Sequence, residues 1–273
     1  MPELPDLEAY RSYFNRRIVG VPIEEATVLI PLVVRAPKEE FVAALRGNAF
    51  RPIGRRGKYL LVSLERGDYA LAIHNMLAGR FQYCLPEQKR RAKTCFILAL
   101  ADGHELRYFD DRLMGKVYLV RGGDFSGVPR YLQVGPEPLS EELTEEAFRA
   151  RLRRFRGQIK SVLLNETCVA GIGNAYADEI LFAAGLHPYR KRTELSAEDE
   201  GRLHRAIRSV LSEAAALVAE RMEKEGLPVE EYRDHLKVHR RGGQPCPTPS
   251  CRKPLTEITA GQRITTFCRF CQR

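Results

Sequence analysis

The first half of the chain places apolar and polar residues in short runs separated by Gly, Asp or Asn. Four of these runs are YLLVSL (59–64), YALAIH (69–74), CFILALA (95–101) and KVYLVR (116–121). Alternating or short apolar runs bounded by turn residues predict β-strands. The exception is LEAYRSYFNRRIV (7–19), because its apolar spacing and acidic first turn predict a helix. Residues 1–130 are therefore predicted to be mainly β-structure.

The second half has a helical pattern. QVGPEPLS (133–140) contains two prolines and a glycine, and we interpret it as a linker. Beyond it, helical spacing predicts four helices, the first with Ser140 as its N-cap and the third stopped by Gly185 and Pro188. Their segments are 140–155, 159–166, 174–186 and 196–226. From residue 234 onward the chain has turns, basic residues and cysteines, with little helical pattern.

Composition indicates a folded protein that is long enough for two domains. The 273 residues are 44% hydrophobic and 29% charged, which is ordinary for globular proteins. No apolar run reaches the roughly 18 residues that span a bilayer. The N-terminus lacks a basic segment followed by an apolar one, so no signal peptide is predicted. We therefore expect a cytoplasmic protein without a membrane partner.

Positive charge is concentrated in two segments. The net charge is +9, and residues 234–273 contain eight Lys or Arg against two acids, or 8 − 2 = +6 of that total. A second cluster is RLRRFRGQIK (151–160). Concentrated positive charge predicts nucleic-acid binding. For the 151–160 cluster taken alone, a solvated helix face is the alternative.

Four of the seven cysteines have the spacing of a metal site. Cys84, Cys95 and Cys168 lie apart in apolar or mixed segments, where we expect reduced core residues. The other four follow a C-x4-C, sixteen-residue, C-x2-C pattern, and they are Cys246, Cys251, Cys268 and Cys271. Two knuckles joined by a hairpin can hold one structural Zn²⁺ tetrahedrally. Disulfides are the alternative, and the lack of a secretion signal argues against them. Arg263 would lie near the hairpin tip, where it could contact a DNA groove or phosphate.

Four motifs, taken in order, resemble one family over essentially the whole chain. They are the MPELP start, GRRGKYLL (54–61), VAGIGNAYADEILFAAGLHP (169–188) and the cysteine finger ending in FCRFCQR. The chain resembles the formamidopyrimidine-DNA glycosylase / endonuclease VIII family of base-excision repair enzymes. The resemblance implies an α+β fold, with an N-terminal β-sandwich flanked by helices, a helix–two-turn–helix domain and a four-cysteine zinc finger, and with DNA in the cleft between. The β-sandwich domain would comprise residues 1–132, followed by a linker at 133–141. The helix–two-turn–helix domain would comprise 142–233, and the zinc finger 234–273.

The resemblance implies a catalytic role for the N-terminus. Removal of Met1 would leave Pro2 as a free secondary amine, and an α-amino group titrates near 8, so a useful fraction is neutral. In the family this amine attacks C1′ of the damaged nucleotide, the base leaves, and the resulting Schiff base leads to strand cleavage. Glu3 matches the family's acid, and Lys58 matches a hairpin lysine that contacts the phosphate or the flipped nucleotide. The alternative for Glu3 is a solvated surface carboxylate, and the alternative for Lys58 is a surface lysine. If Met1 is retained, Pro2 is an amide.

The resemblance also implies DNA-reading residues. Because a base must leave the duplex for this chemistry, side chains must fill the gap. Leu77 and Met114 match wedge residues, with core packing as their alternative, and Arg112 matches the arginine that pairs with the orphaned base. The residues that match phosphate contacts are Lys160, Asn174 and Arg263. Asn174 begins a helix that could itself hold phosphate, and a simple N-cap is compatible with that.

Several departures from the family pattern indicate a divergent member. Asp6 replaces a glutamate, Met114 replaces a phenylalanine, and the first knuckle is C-x4-C instead of C-x2-C. The segment LPVEEYRDHLKVHRRGG (227–243) is short and charged, and it lacks the loop that closes over oxidised guanine in the best-studied branch.

Three functions compete. The leading one is a glycosylase with AP-lyase activity acting on oxidised or ring-opened bases. The others are a non-catalytic protein that binds lesions or abasic sites, and a glycosylase for alkylated or crosslinked bases. All three predict that binding to damaged duplex DNA depends strongly on salt. We expect the protein to be a monomer.

Overall fold

The protein, represented by a computed structural model, is described for residues 1–228, 232–260 and 263–273. These residues form two compact units. Unit 1 comprises Met1–Leu132 with Val218–Tyr232, and unit 2 comprises Gln133–Leu217 with Arg233–Arg273. The first boundary falls at the start of the predicted linker. The finger and the preceding helices belong to the same unit, so the four-part division by sequence stays a prediction.

Unit 1 contains two β-sheets. Its strands are β1 (Ile23–Val28), β2 (Val34–Arg35), β3 (Gly54–Arg56), β4 (Tyr59–Ser63), β5 (Tyr69–His74), β6 (Gly79–Cys84), β7 (Thr94–Leu100), β8 (Glu105–Asp110) and β9 (Lys116–Arg121). One sheet has the order β1-β7-β8-β6, and the other has the order β2-β9-β5-β4-β3. Apolar side chains from both sheets share one buried cluster with the first helix. The predicted N-terminal β-sandwich is therefore confirmed.

The first helix, α1, begins three residues earlier than its apolar pattern predicts. It spans Leu4–Asn15, with Glu3 as its N-cap. Pro5 is compatible with this start, since a first-turn N–H has no intrahelical acceptor to lose. The helix ends when the Asn15 side chain bonds the backbone of Ile53, with its Oδ1 accepting from N at 2.8 Å and its Nδ2 donating to O at 3.0 Å. A second helix, α2, covers Lys38–Leu45.

Unit 2 contains the predicted helices with shifted ends. They are α3 (Glu145–Leu152), α4 (Ile159–Leu163), α5 (Asn174–Ala184) and α6 (Ala197–Glu225), whose last turns belong to unit 1. The Ser140 N-cap prediction is wrong, because Thr144 caps α3 and its Oγ1 accepts from the Ala147 N–H at 3.2 Å. The predicted stop at Gly185 is confirmed, since this residue closes α5 in the left-handed conformation with φ 69°.

The C-terminal segment of unit 2 is a small antiparallel hairpin. Strand β10 (Thr256–Ala260) pairs with β11 (Arg263–Phe267), with Ala260 opposite Arg263. Residues 261–262 lie outside the described residues. Across the described ranges, none of the helices combines the length and apolar character that a bilayer crossing requires.

Candidate active site and nucleic-acid interface

Pro2 and Glu3 lie at the buried start of α1. Glu3 is 3% exposed, so it is not a solvated surface carboxylate. Asp6, also buried, accepts the backbone N–H of Glu3 with Oδ2 at 2.8 Å. This reciprocal pairing of the N-cap and N3 residues is a capping box, and it satisfies donors that the helix leaves open. The peptide that follows Pro2 is therefore fixed by an acid four residues further along the chain.

Lys58 occupies the turn between β3 and β4. Gly57 in the same turn has φ 55°, a conformation that side chains rarely adopt. Arg55 braces the turn, because its Nη1 donates to the Gly57 carbonyl and its Nε to Glu8 of α1, each at 2.8 Å. Lys58 is 7% exposed, so it is not an ordinary surface lysine. Burial raises the pKa of Glu8, but the Arg55 and Arg11 guanidiniums outweigh it and hold that pKa below its ordinary value.

Strand register gathers the predicted unit 1 residues at one end of the two sheets. Tyr59, directly after Lys58, pairs with His74, and His74 pairs with Lys116. In the other sheet, Gly79 pairs with Asp110. The β5–β6 turn and the β8–β9 turn therefore lie side by side, beyond the strand ends next to Lys58.

These two turns present the predicted wedge residues outward. Leu77 is 38% exposed and Met114 is 40% exposed, so core packing does not describe either one. Arg112 is exposed in the β8–β9 turn, which also carries Met114. Asp110 shapes that turn, because its Oδ1 accepts from the Arg112 N–H at 2.9 Å and its Oδ2 from the Gly115 N–H at 2.5 Å.

The close approach of the two turns requires glycine at Gly79 and Gly115. The Tyr108 hydroxyl lies between them, and a Cβ on either residue would be 2.0 Å from its oxygen. No real Cβ tolerates that distance, and the buried Tyr108 ring has no room to retreat. The two turns therefore pack through main chain, not through side chains.

In unit 2, two predicted phosphate contacts converge on one carbonyl. Lys160 Nζ donates to the Ile264 oxygen at 2.9 Å, and Asn174 Nδ2 donates to the same atom at 2.8 Å. Lys160 is 5% exposed, and its ammonium also donates to Thr265 Oγ1 at 2.9 Å and forms an ion pair with Asp178 Oδ1 at 2.6 Å. These partners of the Lys160 ammonium all belong to unit 2. Arg263, the neighbour of Ile264, is exposed at the start of β11.

Asn174 is not the N-cap of α5. Gly173 occupies that position, and Asn174 is the first helical residue. Its amide therefore reaches across to β11 instead of capping its own helix. The helix start and the strand that begins with Arg263 are tied together by this hydrogen bond.

Two buried acids of α5 were not anticipated from the sequence. Asp178 Oδ2 lies 2.7 Å from His239 Nδ1 and accepts the Thr266 N–H at 3.2 Å. Glu179 accepts the backbone N–H groups of 237–239, all at 2.8 Å. An acid within an otherwise apolar helical segment was the available signal. Both carboxylates hold the segment before the finger against α5, and Asp178 also holds β11.

The charged segment 227–243 is anchored where it is described. Residues 229–231 of this segment lie outside the described residues. His235 Nε2 lies 3.0 Å from the Tyr176 hydroxyl of α5, and 237–239 are bonded by Glu179 as above. The segment in which the sequence predicts no lesion-covering loop is therefore hydrogen-bonded to α5.

The four finger cysteines fit one zinc ion. Their sulfur atoms all lie within 4.8 Å of one another. Tetrahedral thiolates at Zn–S distances near 2.3 Å would be about 3.8 Å apart, and Cys246–Cys271 and Cys251–Cys268 are each separated by 3.7 Å. All four are free thiols, which excludes the disulfide alternative in this structure.

Comparison with known proteins gives the same assignment in both units. A family model described as the formamidopyrimidine-DNA glycosylase N-terminal domain matches residues 1–117, and one described as the H2TH domain of that enzyme matches 134–225. The formamidopyrimidine-DNA glycosylase of Pelotomaculum thermopropionicum is 36% identical over 100% of this chain and 99% of its own length. The Symbiobacterium thermophilum enzyme of the same name is 38% identical, over 100% and 89%.

Solved structures agree with the sequence relatives. The Lactococcus lactis formamidopyrimidine-DNA glycosylase bound to DNA with an abasic site has a TM-score of 0.87 at 30% identity, covering 99% of each chain. The same enzyme with FAPY-dG DNA has a TM-score of 0.88 at 30% identity, covering 99% of this chain and 100% of that one. Fold, site and relatives thus define a base-excision repair DNA glycosylase. The chain belongs to the formamidopyrimidine-DNA glycosylase family.

Proposed function

We propose that this chain is a bifunctional DNA glycosylase and AP lyase that removes oxidised or ring-opened bases through Pro2. The observation that carries the proposal is the buried start of α1, where Asp6 fixes the Glu3 backbone directly after Pro2. Relatives named for formamidopyrimidine, and neighbours solved with FAPY-dG or abasic DNA, support this substrate class. A place beside the bacterial chromosome in the cytosol stays a prediction.

The reaction requires removal of Met1, which frees the Pro2 nitrogen. The neutral amine forms a bond to C1′ of the damaged nucleotide, and the glycosidic bond breaks with its electron pair leaving on the base. Glu3 protonates the opening sugar oxygen and shuttles protons. The attached amine loses its proton, and its lone pair then forms the C1′=N⁺ bond of the Schiff base as the C1′–O4′ bond breaks and O4′ takes the proton from Glu3. Removal of a C2′ proton then expels the 3′ phosphate, which cleaves the strand.

The remaining predicted residues hold the substrate. Lys58 contacts the phosphate or the extruded nucleotide beside the reacting sugar. Leu77 and Met114 fill the gap, and Arg112 pairs with the orphaned base. Arg263 and Asn174 bind backbone phosphates.

The phosphate contact of Lys160 stays a prediction, and the internal contacts of its ammonium support a positioning role. Its buried ammonium is used by Asp178, Ile264 and Thr265. We assign it to positioning β11, so that Arg263 is presented correctly. The finger cysteines would hold one Zn²⁺, which supplies folding energy to a segment with a small core.

Borohydride trapping tests the proposal. Duplexes carrying an abasic site, 8-oxoguanine, a ring-opened purine or an oxidised pyrimidine are incubated with protein shown by mass spectrometry to begin at Pro2. The expected result is a covalent adduct on the abasic and oxidised-purine duplexes that is lost in Pro2→Gly. Tight binding without an adduct on any duplex would instead indicate a lesion-binding protein or a glycosylase without lyase activity. An adduct confined to an alkylated or crosslinked duplex, added to the panel, would indicate the third function.

A further inference from the structure

A strongly basic segment in unit 1 is not used by the chemistry described above. Residues 85–93, LPEQKRRAK, join β6 to β7, and every one of them is exposed. Four cations and one acid, Glu87, give the segment a charge of 4 − 1 = +3. The cations are Lys89, Arg90, Arg91 and Lys93. Cations that lie so close together along the chain repel one another unless a partner of opposite charge is bound.

The path of this segment follows from strand order. Strands β6 and β7 lie on either side of β8 and are both antiparallel to it, so the connection must cross β8 from one end to the other. It starts after Cys84, opposite Glu105, and ends at Thr94, opposite Phe109. The segment therefore runs toward the end of the sheet that carries the β8–β9 turn.

A buried arginine fixes the segment in place. Arg107 of β8 is 1% exposed, and its guanidinium donates to the Pro86 carbonyl at 2.8 Å and to the Gln88 carbonyl at 2.7 Å. Glu105 pairs with the same guanidinium at 2.5 Å. Gln82 Nε2 donates to the Lys89 carbonyl at 3.3 Å. Polar side chains of the sheet thus hold the main chain and leave the cationic side chains outward.

The far end of the segment is joined to the turn that carries Arg112. The Asp110 N–H donates to the Lys93 carbonyl at 3.1 Å, and Lys93 Nζ donates to the Asp111 carbonyl. The Arg91 guanidinium lies 5.7 Å from the centre of the Phe109 ring. The main chain that carries the cations is therefore held along its length and ends at the turn that contains Arg112.

We propose that Lys89, Arg90 and Arg91 bind phosphates of the strand complementary to the lesion. The proposal rests on the proposed function, because the orphaned base that Arg112 pairs with belongs to that strand. Phosphate oxygens are the partners that exposed guanidinium and ammonium groups recognise. Lys93 is excluded from the contact set, since it bonds the Asp111 carbonyl. Arg107 is a positioning residue that acts through the main chain of the segment.

The test is the salt dependence of DNA binding. Wild-type protein and K89Q/R90Q/R91Q are titrated with a duplex that carries a stable abasic-site analogue, at several NaCl concentrations. The matched control is R51Q/R66Q/R121Q, which removes the same charge from exposed residues at the opposite end of the five-stranded sheet. Because each phosphate contact contributes about 0.9 to the slope of log K against log salt, the test variant should be shallower by about 2 to 3. The control should keep the wild-type slope.

A second measurement identifies the strand. Uncharged methylphosphonates placed in the complementary strand should make the wild-type slope shallower and leave that of K89Q/R90Q/R91Q unchanged. Equal slopes for the two triple variants, or an effect confined to methylphosphonates in the lesion strand, would overturn the proposal. Borohydride trapping at saturating DNA should still succeed with K89Q/R90Q/R91Q. Failure of trapping in wild-type protein would refute the proposed function instead, so the two failures are distinguishable.

Discussion

Asp6 Oδ2 accepts the backbone N–H of Glu3 over 2.8 Å, and both residues are buried. The bond fixes the peptide plane between Pro2, the proposed nucleophile, and the first helix. It also gives a role to the aspartate that departs from the family pattern. A carboxylate one methylene shorter than glutamate reaches this N–H from position N3 of the helix.

Asp6→Ala should therefore lower the rate of covalent trapping more than it weakens DNA binding. Loss of the capping bond should also cost about 0.5 to 2 kcal/mol of folding stability. Asp6→Glu is the matched variant, because a glutamate at N3 forms the same capping box, and it should restore most of both. Trapping rates at saturating DNA, together with thermal unfolding, measure these effects. Equal activity of Asp6→Ala and wild type would contradict a positioning role.

The Lys160–Asp178 pair should behave as a coupled buried ion pair. Lys160→Met or Asp178→Leu alone leaves one charge without its partner in a buried site, which typically costs about 3 to 5 kcal/mol. The double variant removes both charges and should cost clearly less than the sum. Urea unfolding of the four proteins in a double-mutant cycle measures the coupling. Additive losses would show that the two side chains do not interact in solution.

Leu77 should matter to activity and not to stability. Because it is exposed, Leu77→Ala should change the free energy of unfolding by about 0.5 kcal/mol or less. Leu71→Ala is the matched control, since Leu71 is 2% exposed in the core, and it should cost about 2 to 5 kcal/mol. Base excision by Leu77→Ala should fall because the gap left by the extruded base is poorly filled. A large stability loss with unchanged excision would favour core packing.

The Glu8–Arg55 ion pair should make stability depend on acid pH. The pKa of Glu8 is lower in the folded chain than its ordinary value of 4.5. Its contribution is therefore present above that value and is lost as pH falls below it through the folded pKa. Thermal unfolding between neutral pH and pH values below 4.5 should show a smaller acid loss in Glu8→Gln than in wild type. Identical pH profiles would contradict this assignment.

Metal analysis of the purified protein should find one zinc per chain. Cys268→Ser removes a buried ligand and should abolish zinc binding, while Cys168→Ser, at a buried cysteine outside the cluster, should retain it. Protease sensitivity should then rise within residues 234–273, because the metal supplies folding energy to that segment. Full zinc content in Cys268→Ser would refute the four-ligand site.

Local pattern predicted much of the fold. YALAIH and KVYLVR coincide with β5 and β9, because these strands carry bulky apolar residues bounded by turns. Strand β1, IEEATV, was missed since three of its residues are exposed and its charges obscure the alternation. The start of α1 was missed because prolines at positions 2 and 5 suggest a loop, although a first turn accepts them.

The site was predicted less completely, for physical reasons. Cysteine spacing is a local pattern, so the four cysteines that cluster in the structure could be named from the sequence alone. The environment of Lys160 is set by residues about a hundred positions away in β11, and no local pattern contains them. The environment of Asp178 could not be predicted for the same reason, because its partners come from α4, β11 and the segment before the finger.

The most direct test of the account is to map the trapped adduct. Protein with a verified Pro2 terminus is reduced with borohydride on an abasic duplex, digested, and sequenced by mass spectrometry. The proline mechanism predicts that the sugar remnant is on the N-terminal peptide, at the Pro2 nitrogen, and that no adduct forms when Met1 is retained. A remnant on Lys58 or another lysine, formed equally with Met1 in place, would contradict the proline mechanism.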